Sequence, residues 1–338
     1  MIISMEAGAS QEQIQAVIGR IQELGYKAHP IIGVERTVIG VVGHLKRPQK
    51  ELFEVLPGVE NVVYISKPFK LVSKELKREP TVIDVEGVKV GGKELVIIAG
   101  PCSVESEEQI VTIAKAVRAA GAKMLRGGAY KPRTSPFSFQ GLKREGLEML
   151  AAAKRETGLK IVTEVLAIAD IDLVCEYADV IQIGARNCQN FPLLEAVGRT
   201  SKPVLYKRGM STTVEEWLQA TDYILDGGNG DVILCERGIR TFETATRNTL
   251  DVNAVAVVKE ASHLPIFVDP SHATGHNHLV TAAARAGVAA GADGLIIEVH
   301  HQPEKAWSDG HQSLKPDQFA ECIRQVRRVA EAMGRTMG

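Results

Sequence analysis

A basic excess is missing from this chain of 338 residues: 40 lysines and arginines stand against 41 aspartates and glutamates, a formal net charge of -1. That balance argues against general nucleic-acid binding, which depends on electrostatic attraction to the phosphate backbone. Cysteine is scarce as well. The five present, Cys102, Cys175, Cys188, Cys235 and Cys322, are dispersed with no CxxC pair. An odd, scattered set excludes a disulfide framework and leads us to expect free thiols in a reducing compartment. No apolar run approaches the roughly 20 residues that span a bilayer. The N-terminus, Met1-Ile-Ile-Ser-Met-Glu-Ala-Gly8, lacks a charged n-region and a long apolar h-region, so no signal peptide is expected. Together these absences give the expectation of a cytoplasmic protein that takes neither nucleic acid nor membrane as a partner.

What is present is ordinary globular composition, 45% hydrophobic and 24% charged, and a length that suits one large domain or two. Residues 1–66 read as a small unit. A strand at Ile2 is followed by a helix over Gln11–Leu24, with Ile14, Val17, Ile18 and Ile21 on one face. Strands are expected at Ala28–Ile32 and Thr37–Val42, a second helix at Gln49–Leu56, and a closing strand at Val59–Ile65. The order βαββαβ is that of a ferredoxin-like fold. Residues 67–80, charged and bracketed by prolines, read as a linker. Residues 81–90 alternate apolar and polar around Glu86-Gly87, a hairpin pattern placed to lid the bottom of the larger unit beyond it.

From there one pattern repeats. Apolar β-type runs begin near Leu95, Lys123, Lys160, Val180, Pro203, Val232, Pro265 and Gly294. Amphipathic helical segments follow them, among them Glu107–Ala120, Val214–Leu225, Leu250–Ser262 and Pro316–Met333. Eight strand–helix units over about 250 residues indicate a (β/α)8 barrel. A doubly wound sheet would place Gly-x-Gly-x-x-Gly after its first strand, whereas that strand ends Ile98-Ala-Gly-Pro-Cys-Ser103. The expected architecture is therefore a TIM barrel over 81–338 preceded by the small N-terminal domain.

Barrel chemistry lies at the C-terminal strand ends. One stretch there has no carboxylate at all: Arg126-Gly-Gly-Ala-Tyr-Lys131-Pro-Arg133-Thr134-Ser135, running on to Gly141. Its glycines admit a ligand close to the backbone, and its guanidinium groups match phosphate oxygens bidentately. Arg126, Lys131, Arg186, Lys207 and Arg237 come from different strand ends and converge on one rim. Unless an anion is bound they repel one another, so a strongly anionic substrate is expected. A second set has the character of metal ligands. Cys102, His272 and Glu298 come from the first, seventh and eighth strands, and Asp309 from the loop after the eighth. Mixed sulfur, nitrogen and oxygen donors suit one divalent ion of the manganese, iron, cobalt or zinc class. His300, His301 and His311 are nearby competitors that spacing alone does not separate.

Gly100-Pro-Cys-Ser103, Arg126…Lys131-Pro-Arg-Thr-Ser135, Gln182-Ile-Gly-Ala-Arg-Asn187, Cys235-Glu-Arg-Gly238 and Asp269-Pro-Ser-His272 resemble the 3-deoxy-D-arabino-heptulosonate 7-phosphate (DAHP) synthase family. The resemblance is to the subfamily with an N-terminal ferredoxin-like domain, and it covers essentially the whole chain. It implies a condensation of phosphoenolpyruvate with erythrose 4-phosphate, the first step of the shikimate pathway. It puts the metal on Cys102, His272, Glu298 and Asp309. It puts phosphoenolpyruvate on Arg126, Lys131, Arg186, Lys207 and Arg237 with the backbone of Ala185, and the sugar phosphate on Arg133, Thr134 and Asp269. Glu164 is expected to orient water and Lys131 to shuttle a proton. It further implies a homotetramer and an aromatic amino acid effector at the N-terminal domain, where His29 is a candidate contact. The sister synthase making an eight-carbon ulosonate phosphate from arabinose 5-phosphate usually carries Lys-Ala-Asn-Arg where this chain has Lys131-Pro-Arg-Thr. A different phosphosugar aldolase and a non-catalytic sugar-phosphate sensor are the other readings.

Overall fold

A computed structural model describes residues 1–33, 36–43, 49–64, 68–133 and 135–338. Thr134, expected at the sugar phosphate, lies outside the described residues, as do residues 65–67 at the expected boundary between strand and linker. The chain divides into two compact units, Met1–Pro80 with Ala261–His263, and Thr81–Glu260 with Leu264–Gly338.

In the first unit β1 (Ile2–Met5), β2 (Lys27–Ile32), β3 (Thr37–Val42) and β4 (Val59–Val63) form an antiparallel sheet in the order β2-β3-β1-β4. With helices Gln11–Glu23 and Glu51–Glu54 between them, the chain follows the expected βαββαβ order. The first helix starts at Ser10 through a reciprocal cap: Ser10 Oγ accepts from Gln13 N and the Gln13 side chain accepts from Ser10 N. Its Val17 and Ile21 join Ile3, Met5, Ile39, Val41, Phe53 and Val62 in one core. Pro30 is accommodated because β2 is an edge strand, where a missing N–H leaves no ladder bond unmade. The second helix is shorter than the expected Gln49–Leu56. No side-chain cap starts it, and Pro57 disfavours helical backbone at Leu56. In the stretch expected as a linker, Phe69, Leu71, Val72, Ser73 and Leu76 are buried.

The second unit opens with the hairpin β5 (Ile83–Val85) and β6 (Val88–Val90). Eight parallel strands then close a barrel: β7 (Val96–Gly100), β8 (Met124–Arg126), β9 (Lys160–Glu164), β10 (Val180–Ile183), β11 (Val204–Lys207), β12 (Val232–Glu236), β13 (Ile266–Val268) and β14 (Gly294–Glu298). Inward side chains Val96, Ile98, Met124, Val162, Val180, Leu205, Ile233, Phe267 and Ile296 pack in one cluster with Ile83, Val85 and Val90 of the hairpin. The hairpin thus packs its apolar side chains against the barrel interior. Closure comes from β14 pairing with β7, where Glu298 lies opposite Gly100. Among the described residues no helix is long and apolar enough to cross a membrane.

His263 shows what burial does to a titrating group in the first unit. Its Nε2 lies 2.9 Å from the Leu71 carbonyl oxygen, and burial pushes its pKa from 6.5 down to about 4. The unfolded chain therefore takes up this proton first as pH falls. The contribution is whole above pH 6.5 and is lost as pH falls to about 4. His263→Gln is expected to remove up to about 3 kcal/mol of that acid loss. Melting temperatures of both proteins across this pH range measure it, and parallel curves would refute the assignment.

Candidate active site

The mouth of the barrel is assembled from short local rules. Gly100 takes a φ of +153°, and a Cβ there would stand 2.1 Å from the Arg126 carbonyl oxygen, so the ends of β7 and β8 meet only with glycine in place. Gly128 does the same for the loop after β8. Its N–H donates to Cys102 O at 3.2 Å and its own carbonyl accepts from Val104 N at 3.1 Å. These bonds carry Lys131 back over the first strand end, where Nζ donates to Cys102 O at 2.9 Å and reaches Cys102 Sγ at 3.0 Å. A Cβ on Gly184 would lie 2.1 Å from Glu164 Oε1, so that glycine lets Glu164 lean over the end of β10. Gln182 Nε2 then donates to Glu164 Oε2 at 3.0 Å.

A cavity of about 260 Å³ opens among these elements. Seven basic side chains line it, Arg126, Lys131, Arg133, Arg186, Lys207, Arg237 and Arg247, against two carboxylates, Glu164 and Asp309. Ala185 and His272 also line it, so the structure brings together ten of the residues singled out in the sequence. Arg126 and Arg237 are buried, and each keeps an Nη1 with no hydrogen-bond partner among the described residues. Burial pushes the Arg237 guanidinium below its usual value. Unsatisfied, buried guanidinium N–H groups are costly, and an anion in the cavity would satisfy them. Arg208, the neighbour of Lys207, is tied instead to Glu236 at 3.0 Å and Asp251 at 2.9 Å and plays a structural part.

Adjoining the cavity, and sharing Asp309 with it, lies a set of donors. Cys102, Glu298 and Asp309 each offer an atom within 4.8 Å of the others. Sγ of Cys102 contacts Asp309 Oδ2 at 3.3 Å and Ser308 Oγ at 3.2 Å. Asp309 sits in left-handed backbone at φ 50°, a conformation that costs a non-glycine residue of order 1 kcal/mol or more. Burial opposes its charge, yet Arg247, ahead of His272 and the Cys102 bond, holds its pKa down at about 2. Burial, reinforced by Glu298, pushes the Cys102 thiol up to about 11. Glu298 is fully buried. Its pKa is held below the usual carboxylate value against burial, with Arg126 the facing cation, but among the described residues Oε1 has no hydrogen bond although Arg126 Nη2 is 3.0 Å away. A thiol beside one buried and one half-buried carboxylate, with a Glu298 oxygen that makes no hydrogen bond among the described residues, fits a divalent cation, which would favour the thiolate and be met by that oxygen.

His272 does not belong to the three-donor group; it joins it through Glu298, with Nε2 3.4 Å from Oε1. Its Nδ1 is 2.7 Å from Asp269 Oδ2, and burial pushes its pKa down to about 4. The neutral ring therefore donates through Nδ1 and keeps its lone pair on Nε2, the state a metal ligand needs. Asp269, expected near sugar hydroxyls, does not line the cavity. Its oxygens are taken up by His272 N at 2.9 Å, His272 Nδ1, and Lys207 Nζ at 2.5 Å. Burial works against its charge, but His272 and Lys207 hold the carboxyl well below the usual range. Of the competing histidines, His300 turns to Gln109 at 3.3 Å and Glu105 at 3.5 Å. Neither it nor His301 or His311 enters the donor group among the described residues.

Three participants carried no readable signal. Arg247 lines the cavity and pairs with Asp309 at 3.5 Å, yet it stands eleven positions beyond the end of β12 in a polar loop. Ser308 bridges Cys102 and Arg133, whose Nη2 donates to it at 2.7 Å. Gln312 donates to Glu298 Oε2 at 2.7 Å. Long-range contacts alone define these roles.

A closed parallel barrel with a cationic cavity beside a cluster of thiol and carboxylate donors defines an enzyme that handles anionic substrates. The chain belongs to the DAHP synthetase I family, which matches residues 75–334, and the DAHP synthase ferredoxin-like domain matches residues 1–67. The phospho-2-dehydro-3-deoxyheptonate aldolase of Thermotoga maritima is 51% identical over 334 residues, 99% of this chain and 99% of that protein. A crystal structure of phospho-2-dehydro-3-deoxyheptonate aldolase (DAHP synthase) from Thermotoga maritima is similar at a TM-score of 0.80 and 50% identity, covering 100% of this chain and 99% of that one. The 2-dehydro-3-deoxyphosphooctonate aldolase of Syntrophotalea carbinolica is 31% identical over 269 residues, 74% of this chain and 96% of that protein.

Gly128 tests how tightly the site is built. A Cβ there would stand 2.8 Å from Cys102 O and 2.9 Å from Lys131 Cδ. Gly128→Ala is expected to cut turnover about 10²-fold, as a displaced reacting group does. Circular dichroism should stay unchanged, and full activity in the variant would contradict the tight apposition.

Proposed function

We propose that this enzyme condenses phosphoenolpyruvate with D-erythrose 4-phosphate, releasing inorganic phosphate and forming DAHP, the first step of aromatic amino acid biosynthesis. The observation that carries the reading is the cavity itself: seven basic side chains, two with buried N–H groups lacking partners among the described residues, beside a three-donor cluster. Phosphoenolpyruvate brings a carboxylate and a phosphate, and Arg126, Lys131, Arg186, Lys207 and Arg237 with the backbone of Ala185 are matched to them. Arg133 and Thr134, farther along the same loop, are assigned to the phosphate of the aldose.

The division of labour follows from which groups are free. Asp269 is fully engaged by Lys207 and His272, so its part is to fix their positions. Cys102, Glu298, Asp309 and His272 would hold one divalent cation, which when bound supplies Lewis-acid polarisation of the aldehyde oxygen. Carbon 3 of phosphoenolpyruvate attacks that carbonyl, and water adds at carbon 2 before phosphate leaves. Glu164, anchored by Gln182 and lining the cavity, orients this water. Lys131 stands between the anion cavity and Cys102 and moves the proton.

The similarity to 2-dehydro-3-deoxyphosphooctonate aldolases makes arabinose 5-phosphate the second candidate acceptor. Lys131-Pro-Arg-Thr in the loop and the N-terminal unit favour erythrose 4-phosphate. A tetramer, a cytoplasmic location and an aromatic amino acid effector at that unit complete the proposal.

Phosphate release is expected with erythrose 4-phosphate and not with arabinose 5-phosphate, and the reverse preference would overturn the substrate assignment. Chelation is expected to abolish turnover and Mn²⁺ to restore it; full activity after chelation would remove the cation from the reaction. Lys131→Met is expected to lower kcat at least about 10²-fold, the usual contribution of a positioned acid or base. Substantial turnover in that variant would sink the proton role.

A further inference from the structure

Gln312 is fully buried, in the single turn Gly310–Gln312 that follows Asp309. Its amide has only one workable orientation. Oε1 accepts from Arg247 Nη1 at 2.9 Å, and Nε2 donates to Glu298 Oε2 at 2.7 Å. A guanidinium can only donate and a carboxylate can only accept, so a flipped amide would face both partners with the wrong atom. The same Arg247 Nη1 lies 3.5 Å from Asp309 Oδ1. One neutral side chain therefore links Glu298 to the arginine that also steadies Asp309.

The choice of an amide matters. An arginine or lysine in this place would neutralise Glu298 and compete with a bound cation. A glutamate would repel Glu298 and leave it unheld. The amide takes up Oε2 through a neutral donor and adds no second cation to the one, Arg126, whose Nη2 already lies 3.0 Å from Oε1. The other oxygen, Oε1, is then the one without a hydrogen bond among the described residues, facing Arg126 Nη2 at 3.0 Å and Nε2 of His272 at 3.4 Å. Gln312 also stands between Arg247 and Glu298 in this chain of bonds, so the arginine serves Asp309 without being drawn into an ion pair with Glu298.

We infer that Gln312 is a positioning residue for the cation site, holding Glu298 by Oε2 so that Oε1 stays available as a ligand. It does not line the cavity. The inference rests on the proposed cation site and extends it from the donors to what orients them. Partners of this kind, behind the ligands, typically change metal affinity by about 10- to 100-fold when removed.

The test uses the full-length protein, stripped with a chelator and titrated with Mn²⁺ and Co²⁺. Gln312→Met keeps the bulk of the side chain and removes both hydrogen bonds; Gln312→Asn keeps the amide but is one methylene too short to span both partners. Both are expected to bind Mn²⁺ about 10- to 100-fold more weakly and to change the Co²⁺ absorption spectrum. The KM for phosphoenolpyruvate, measured at saturating Mn²⁺, is expected to stay at its wild-type value. A merely structural glutamine would lower the melting temperature and leave the Mn²⁺ affinity and the Co²⁺ spectrum alone. A folded variant of either kind with wild-type affinity and spectrum overturns the inference while leaving the cation site standing. If the wild-type protein itself binds neither ion, the cation site fails and this inference falls with it.

Discussion

The pairing of β14 with β7 is the constraint on which the rest depends. It closes the barrel and sets Glu298 opposite Gly100, with Val299 N donating to Gly100 O at 2.8 Å. Residues almost 200 positions apart thereby become neighbours. Cys102 follows Gly100 by two residues, and the loop that leaves β14 returns Ser308 and Asp309 to its sulfur. The next strand, β8, is held to the same place by a backbone approach only glycine permits, and it delivers Arg126 to Glu298. Were the barrel open at this seam, the donors would be scattered along two edges.

Electrostatics then divides the mouth into two sets of groups. Around the cavity the cations exceed the carboxylates, and buried Arg126 and Arg237 keep N–H groups that no atom of the described residues satisfies. Asp269 and Glu298 are fully buried and hold their charge because the Lys207 and Arg126 cations face them and His272 Nδ1 donates to Asp269. Buried ion pairs of this kind are poor sources of stability, since desolvation offsets most of their attraction. Their value here is geometric. Each fixes an orientation: Asp269 sets the tautomer of His272, Lys207 is anchored at the wall, and Arg126 faces the Glu298 oxygen that makes no hydrogen bond among the described residues.

Much of this is legible in the residues alone. Apolar runs at regular spacing announce eight strands, and a strand followed by a charged residue is a strong local signal because barrel chemistry gathers at those ends. Cys102, Arg126, Lys131, Arg186, Lys207, Arg237, His272 and Glu298 all stand out that way. The short helix Glu51–Glu54 and the buried stretch around Leu71 depart from expectation for the same reason: capping and burial depend on neighbours that periodicity does not include. Arg247, Ser308 and Gln312 give no such signal. Each lies in an irregular loop, and each acquires its role from a partner in another loop or strand.

By itself the sequence determined the barrel, the small domain before it, the surplus of cations at one rim and the residue types able to bind a cation. These depend on hydrophobic period, on turn residues and on which chemical groups come after each strand, all of which are local. Only the tertiary structure decided the pairings: that Asp269 serves Lys207 and His272, that His272 reaches the donor group through Glu298, and that Arg208 is spent on Glu236 and Asp251. Hydrogen bonds reach about 3 Å and discriminate by angle. Which of several nearby charged groups meet is therefore set by closure of the barrel and the path of its loops, and no spacing along the chain encodes it.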